Sequence, residues 1–386
     1  MSAPDTLDRL RLTRTEGVGP VAYRRLLRRY SSAAAALAAL PGLARAGGRS
    51  TAPATPSRSA AEREIEQVAK LGGRLLFLDT PDYPPLLALL DDAPPALALL
   101  GEVAALHGRA VALVGGRNAS ANGRRIADEL AAALAKAGFV VVSGMARGVD
   151  AAAHEGALGA GHTVAVVAGG LDVPYPPEHA DLQRRIAQTG AVLAEAPLGT
   201  APQSRHFPRR NRIIAGLALG VVVVEAAARS GSLITARLAQ EANREIFAVP
   251  GSPLDPRCRG SNDLIRQGAH LTETAADVLD NLPDHPSREG ISRSPLFARG
   301  SAPGFSEPPG WQDPPEGAAE LARARQHVVE LLGPSPTSVD DLLRRCQFSA
   351  AAIAAVLLEL ELAGRVEAFP GNRVALIAGP DSATSH

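Results

Sequence analysis

Residues 205–212 read Arg205-His206-Phe207-Pro208-Arg209-Arg210-Asn211-Arg212 and lead straight into an apolar helical pattern, Ile213-Ile214-Ala215-Gly216-Leu217. Four arginines and a histidine fall within these eight residues, in a chain whose formal net charge is zero. Pro208 suits a first helical turn, where its missing N–H costs nothing. Arginines in that turn oppose the helix dipole, which favours anions there. Arg209, Arg210 and Arg212 therefore predict a bound anion. Guanidinium forks beside exposed N–H groups are the chemistry of a phosphate site.

Three carboxylates, Asp150, Glu195 and Glu225, stand at or just beyond the ends of apolar runs. Such groups either do acid–base work or pair with arginines and fix them; pairing is the favoured reading. No Ser/His/Asp or Cys/His arrangement can be argued from spacing. His154 and His206 stand alone and read as structural or phosphate-facing. No catalytic residue, metal ligand or cofactor is expected.

The elements that must position these groups are short apolar strands alternating with amphipathic helices. The strand candidates are Ala110–Val114, Phe139–Val142, Thr163–Ala168, Ala191–Ala194, Val221–Val224 and Ile246–Val249. Between them lie helical patterns at Arg124–Ala137, Ala151–Leu158, Ala180–Gln188, Arg209–Leu219 and Ser232–Asn243. Continuous apolar strands are buried on both faces, and the alternation predicts a doubly wound, Rossmann-like parallel sheet. Ligands of such sheets bind beyond the carboxyl ends of the strands. Four of the six ends carry glycine: Gly115-Gly116-Arg117, Ser143-Gly144, Gly169-Gly170 and Pro250-Gly251. One such glycine is ordinary turn chemistry. Four beside an arginine run point to an anion-binding crevice, because glycine lets a ligand approach the backbone. The first turn matches neither G-x-G-x-x-G nor the P-loop, which removes the usual warrant for dinucleotide or ATP binding. Ser230-Gly231-Ser232 opens another helix, where N-capping and phosphate binding are equally good readings.

The length of 386 residues suggests two or three domains, and 46% hydrophobic residues can build full cores. Lys70 and Lys136 are the only lysines, so the positive charge is almost all arginine. Zero net charge argues against a protein coated in nucleic acid but allows a local basic groove. Cys258 and Cys346 fit no metal spacing or disulfide framework. With no 18-residue apolar run and no signal peptide, a soluble cytoplasmic protein without membrane contact is expected. Residues 1–45 look helical, 46–60 like a flexible linker, 61–108 like a lead-in to the core at 109–282. Residues 283–318 read as a disordered linker before a compact last domain at 319–378.

The central section resembles the DNA-processing protein A family, also called Smf, over residues 75–282. The resemblance starts at Asp82-Tyr83-Pro84-Pro85-Leu86-Leu87 and runs through Val114-Gly115-Gly116-Arg117 and Ser143-Gly144-Met145-Ala146-Arg147-Gly148-Val149-Asp150. It continues through Gly169-Gly170-Leu171-Asp172, the Phe207–Leu217 block, Val224-Glu225-Ala226 and Ser230-Gly231-Ser232-Leu233. It implies a protein that binds single-stranded DNA and loads the RecA recombinase onto it during natural transformation. It also implies head-to-head homodimers built through the Rossmann-like domain, and no enzymatic activity. The family's phosphate-contacting arginine maps onto Arg117, and its Phe-Pro-x-Arg-Asn-Arg block onto Phe207 to Arg212. Expected DNA contacts are thus Gly115, Gly116, Arg117, Ser143, Gly144, Gly169, Gly170, Phe207, Arg209, Arg210, Asn211, Arg212, Ser230, Gly231 and Ser232. Gly116 replaces a family serine, and Tyr175-Pro176-Pro177-Glu178-His179 lacks a family lysine and asparagine. Arg184 and Arg185 are the nearby substitutes.

In the first domain, Gly17-Val18-Gly19-Pro20 resembles a helix-hairpin-helix or SAM-like turn. Arg24, Arg25, Arg28 and Arg29 follow on one face, fit either for a DNA backbone or for solvent. The last domain reads as a winged helix: Gln326–Leu332, Ser338–Cys346, a third helix from Ser349 to Leu362, then a hairpin. That third helix carries no arginine, lysine or amide side chain, so it is a poor reader of base edges. A structural or protein-contact role is expected, with Arg365 and Arg373 as weaker backbone contacts.

Four phosphates neutralised by Arg117, Arg209, Arg210 and Arg212 would give a salt slope of roughly −3. Aromatic residues make up 3% of the chain, which limits base stacking to Phe207 or Tyr175. The alternative is a phosphoribohydrolase-like nucleotide-processing enzyme using the same crevice. Such enzymes carry a Pro-Gly-Gly-x-Gly-Thr turn; here Arg229-Ser230-Gly231-Ser232 stands at the comparable helix start, with Glu225 before it.

Overall fold

The structure, a computed structural model, describes residues 3–283, 318–369 and 372–377. Residues 284–317, most of the expected second linker, and the hairpin tip at 370–371 lie outside the described residues. The chain forms two compact units. The described residues up to Glu62 and from 318 onward make one, and those from Arg63 to 283 the other.

The first unit opens with α1 (Ala3–Thr13), α2 (Pro20–Tyr30) and α3 (Ala33–Ala46). Gly17, at φ +76°, makes the turn before α2, and the Ser32 hydroxyl caps α3 by accepting from Ala35 N. Residues 47–57, expected as a flexible linker, are pinned: Arg11 donates to Pro56 O, Glu16 N to Ala54 O, and Arg49 to the Glu16 carboxylate at 2.8 Å. Composition alone could not show these long-range partners.

The chain continues through α4 (Arg58–Lys70) into a nine-stranded sheet. In order come β1 (Arg74–Phe77), α5 (Pro85–Ala88), β2 (Ala96–Gly101), β3 (Ala110–Val114), α6 (Ala121–Lys136), β4 (Val140–Ser143), α7 (Val149–Leu158) and β5 (Thr163–Val167). Then follow α8 (Ala180–Thr189), β6 (Ala191–Ala194), α9 (His206–Leu217), β7 (Gly220–Val223), α10 (Gly231–Glu241), β8 (Glu245–Ala248), α11 (Arg259–Arg266), β9 (His270–Leu271) and α12 (Ala275–Leu279). The strand order is β1-β2-β6-β5-β4-β3-β7-β8-β9. From β6 to β9 the pairing is parallel; β1 and β2 add an antiparallel edge. The order reverses between β3 and β7, the switch point where doubly wound sheets hold ligands. Helices cover both faces of the sheet, so β3, β4 and β5 are buried at every position rather than at alternate ones.

After the undescribed segment, the chain returns to the first unit with α13 (Ala318–Leu331), β10 (Thr337–Ser338), α14 (Val339–Arg345), α15 (Ala350–Leu362), β11 (Val366–Phe369) and β12 (Arg373–Leu376). This is a winged helix with a three-stranded wing. The third helix, α15, is buried on two sides. Ile353, Val356, Leu357 and Leu360 join the winged-helix core, while Leu358 and Leu362 join Leu12, Val18, Tyr23, Leu26 and Leu40 of the N-terminal helices. Gly47 lies so close to the Glu359 carbonyl that any Cβ there would collide with it. Arg25 reaches Glu361 at 4.0 Å, and burial pushes that carboxyl up to about 7. Of the four arginines expected on one face of α2, Arg25 is thus turned to Glu361. Arg29 lies 5.5 Å over the Tyr30 ring, and Arg28 is exposed.

Candidate nucleic-acid interface

A cleft of about 470 Å³ opens at the β3/β7 switch point. It adjoins a recess of about 50 Å³ that shares Arg117, Ala146, Tyr175, Phe207 and Arg210 with it. Arg117, on the turn after β3, is exposed, and its guanidinium lies 4.7 Å over the Phe207 ring. The Tyr175 ring packs against Phe207 in a tilted arrangement, with ring centroids 5.8 Å apart. The chain has brought a cation and two aromatic rings to one wall, a combination that suits a phosphate with its base.

The start of α10 also lines the cleft. The Ser230 hydroxyl caps it, accepting from Ser232 N at 3.3 Å, and Gly231 is open, with nothing within 4 Å of where a Cβ would stand. By contrast, the α6 terminus is already filled. The Glu225 carboxylate accepts from Ser120 N at 2.9 Å and from the Ser120 hydroxyl at 2.5 Å. An intramolecular carboxylate therefore takes the place an external phosphate would hold there. Gly116 donates its N–H to Glu225 O at 2.6 Å, and a Cβ on Gly115 would meet Val149 at 2.5 Å. Gly115 thus serves close packing, while Gly116 has room for a side chain.

The arginine run divides. Helix α9 starts at His206, three residues before Arg209, and every residue from Arg210 to Leu217 is buried. Arg209 and Arg205 stay exposed. Arg210, at 6% exposure, forms the cleft floor, donating to Gly144 O and, at 2.5 Å, to Val166 O. It thereby ties the ends of β4 and β5 together. Burial lowers its pKa to about 10, so it stays charged at neutral pH, and it faces Asp150, whose own pKa burial raises. Arg212 points away from the cleft. It donates to Asp92 O and, at 2.5 Å, to the Glu195 carboxylate. All three carboxylates singled out in the sequence are thus engaged internally: Asp150 beside Arg210, Glu195 with Arg212, and Glu225 with the start of α6.

Of the expected contacts, Gly115, Arg117, Gly144, Gly169, Phe207, Arg210, Asn211, Ser230, Gly231 and Ser232 line the cleft or its recess. Gly116, Ser143, Gly170, Arg209 and Arg212 do not. Ser143 is fully buried, donating to Leu113 O at 2.6 Å, and Gly170 N donates to Thr200 O at 3.0 Å. Arg184 and Arg185 line neither space; they pair with Asp181 and Glu155. Glu178 pairs with Arg147, and His179 Nδ1–H donates to Met145 O at 2.8 Å. Met145 holds φ +62°, a left-handed conformation rare for its type. Sequence reasoning missed Arg147 as a lining residue, although it sits in the same block as Gly144. His154 is fully buried, with Nδ1 against the Thr163 hydroxyl, and burial pushes its pKa down to about 3. It is a structural histidine.

Comparison with known proteins decides the family. The family model of DNA recombination-mediator protein A matches residues 74–283. The chain belongs to the DNA recombination-mediator protein A family. Flanking that match, a DprA-like N-terminal HHH domain matches residues 3–66 and a DprA winged-helix domain 312–372. Protein Smf of Escherichia coli is 39% identical over 311 residues, 78% of this chain and 77% of that protein. DNA processing protein DprA of Streptococcus pneumoniae is 45% identical over 51% of this chain and 70% of that one. The X-ray structure of S. pneumoniae DprA superposes with a TM-score of 0.57 at 39% identity, covering 60% of this chain and 80% of its own. Helicobacter pylori DprA, solved for its unique single-stranded DNA binding mode, gives a TM-score of 0.50 at 30% identity over 54% and 97%. Among the described residues, no helix is long and apolar enough to cross a membrane.

Proposed function

We propose that this chain binds single-stranded DNA in the cleft at the β3/β7 switch point, through its Rossmann-like residues 109–282. We further propose that it acts in the cytoplasm as the mediator that loads RecA onto incoming strands in natural transformation, as a homodimer paired through that domain. The observation that carries DNA binding is the Arg117–Phe207–Tyr175 cluster lining the same cleft as the open, capped start of α10. The relative solved for its single-strand binding mode supports the same ligand. RecA loading and pairing rest on family membership alone. The engaged state of Asp150, Glu195 and Glu225 supports a binder over the phosphoribohydrolase-like alternative.

Binding of a labelled ~35-nucleotide single strand and its duplex, followed by anisotropy across a salt series, tests the reading. The single strand should be preferred. Arg117→Ala should weaken it about tenfold, or about 1.4 kcal/mol, and flatten the slope by about 0.7. Binding that is absent, or unchanged in Arg117→Ala, discards the cleft. RecA filament formation on protein-coated single strands, with and without this chain, tests loading.

A further inference from the structure

The winged-helix part holds a second cationic space that the proposed function does not use. Its third helix is covered by the N-terminal helices, so the element that would read a duplex is not on the surface. A groove of about 600 Å³ lies elsewhere on this domain, between α13 and the turn after α14. Arg323, Gln326 and His327 line one side, and Arg345, Gln347 and Phe348 the other.

Two neighbouring arginines of this domain are neutralised: Arg325 by Glu359 at 2.5 Å and Arg344 by Asp341 at 2.8 Å. Arg323 and Arg345 are exposed and have no carboxylate partner among the described residues. Glu330 is the groove's acidic residue. It accepts from Gln326 Nε2 at 3.1 Å and lies 3.9 Å from His327 Nδ1. The His327 and Phe348 rings meet edge to face, 6.1 Å apart. Two unneutralised guanidinium groups, two amides and a half-buried aromatic ring offer what a stretch of nucleic acid needs: phosphate neutralisation, hydrogen bonds and a stacking surface.

We propose that this groove is a second single-strand contact, taking the backbone of one or two nucleotides with a base against Phe348. The inference rests on the proposed single-strand binding. The charge favours a polyanion, and the aromatic ring and amides favour nucleic acid over an acidic peptide. The covered third helix favours a single strand over a duplex.

The test uses the full chain and the ~35-nucleotide strand, comparing wild type, Arg117→Ala and Arg323→Ala/Arg345→Ala. The double variant should weaken binding about tenfold and reduce the salt slope by about 1.4, since two phosphate contacts are lost. A photoreactive phenylalanine analogue at position 348 should crosslink to the strand. Both arginines are exposed, so the double variant should fold, with a circular dichroism spectrum matching wild type. Normal binding and slope in the double variant, while Arg117→Ala is impaired, overturn this inference alone. Wild type that binds no strand overturns the proposed function and the inference with it. Displacement of the crosslink by polyglutamate but not by excess unlabelled strand assigns the groove to an acidic protein partner and also overturns it.

Discussion

Arg209 and Arg212 lie three residues apart on α9, and their removal should have opposite consequences. Arg212 is 9% exposed and holds both Asp92 and Glu195. Arg212→Ala removes the guanidinium that Asp92 and Glu195 share. Breaking a fully buried pair costs roughly 3–5 kcal/mol. Here Asp92 and Glu195 retain 27% and 28% of their side-chain exposure, so water compensates in part. A loss of about 2 kcal/mol follows. For a unit of this size that lowers Tm by about 4–8 °C. Arg209→Ala removes an exposed side chain and should change stability by less than about 0.5 kcal/mol. If Arg209 reaches a phosphate from the cleft rim, the salt slope of strand binding should fall by about 0.7. Differential scanning calorimetry and salt-dependent anisotropy on both variants read the contrast. Arg212→Ala that melts like wild type yet binds DNA poorly would refute the assignment of Arg212 as internal support.

Two further outcomes follow from packing and burial. Gly47→Ala should destabilise the first unit by about 1–3 kcal/mol through its collision with the Glu359 carbonyl. Gly42→Ala, with nothing within 4 Å, should stabilise α3 by up to about 1 kcal/mol; equal melting of the two variants excludes the close approach. The His154 imidazole titrates near 3 in the fold against 6.5 unperturbed, so the unfolded chain binds its proton first as pH falls. Its stabilising contribution is whole above about 6.5 and is lost toward 3. The free-energy gap between wild type and His154→Gln should therefore narrow with acid by up to about 1.4 kcal/mol per pH unit in that window. A gap independent of pH contradicts a neutral, buried His154.

The doubly wound core was readable because β3 to β8 are continuous apolar runs that end in turn residues. Strand β2 was not, since Ala96–Gly101 follows two prolines and gains its identity only by inserting antiparallel between β1 and β6. The two-residue β9 carries no periodicity at all. Arg210 and Arg212 were expected at the ligand because arginines near a helix start oppose its dipole and call for an anion. Their partners, Val166, Gly144, Asp92 and Glu195, lie on distant segments. The lack of basic residues on α15 marked it in the sequence as a poor reader of base edges. What it packs on, α2 and α3, was out of reach, being about 300 residues earlier.

That pairing has a consequence for synthesis. The apolar face formed by Leu26, Leu40 and Val18 leaves the ribosome more than 300 residues before its cover, Leu358 and Leu362. At about 5–20 residues per second the wait is roughly 15–60 s. During that interval the central sheet can fold on its own contiguous chain, while the N-terminal helices remain half of a core whose other half is still being made.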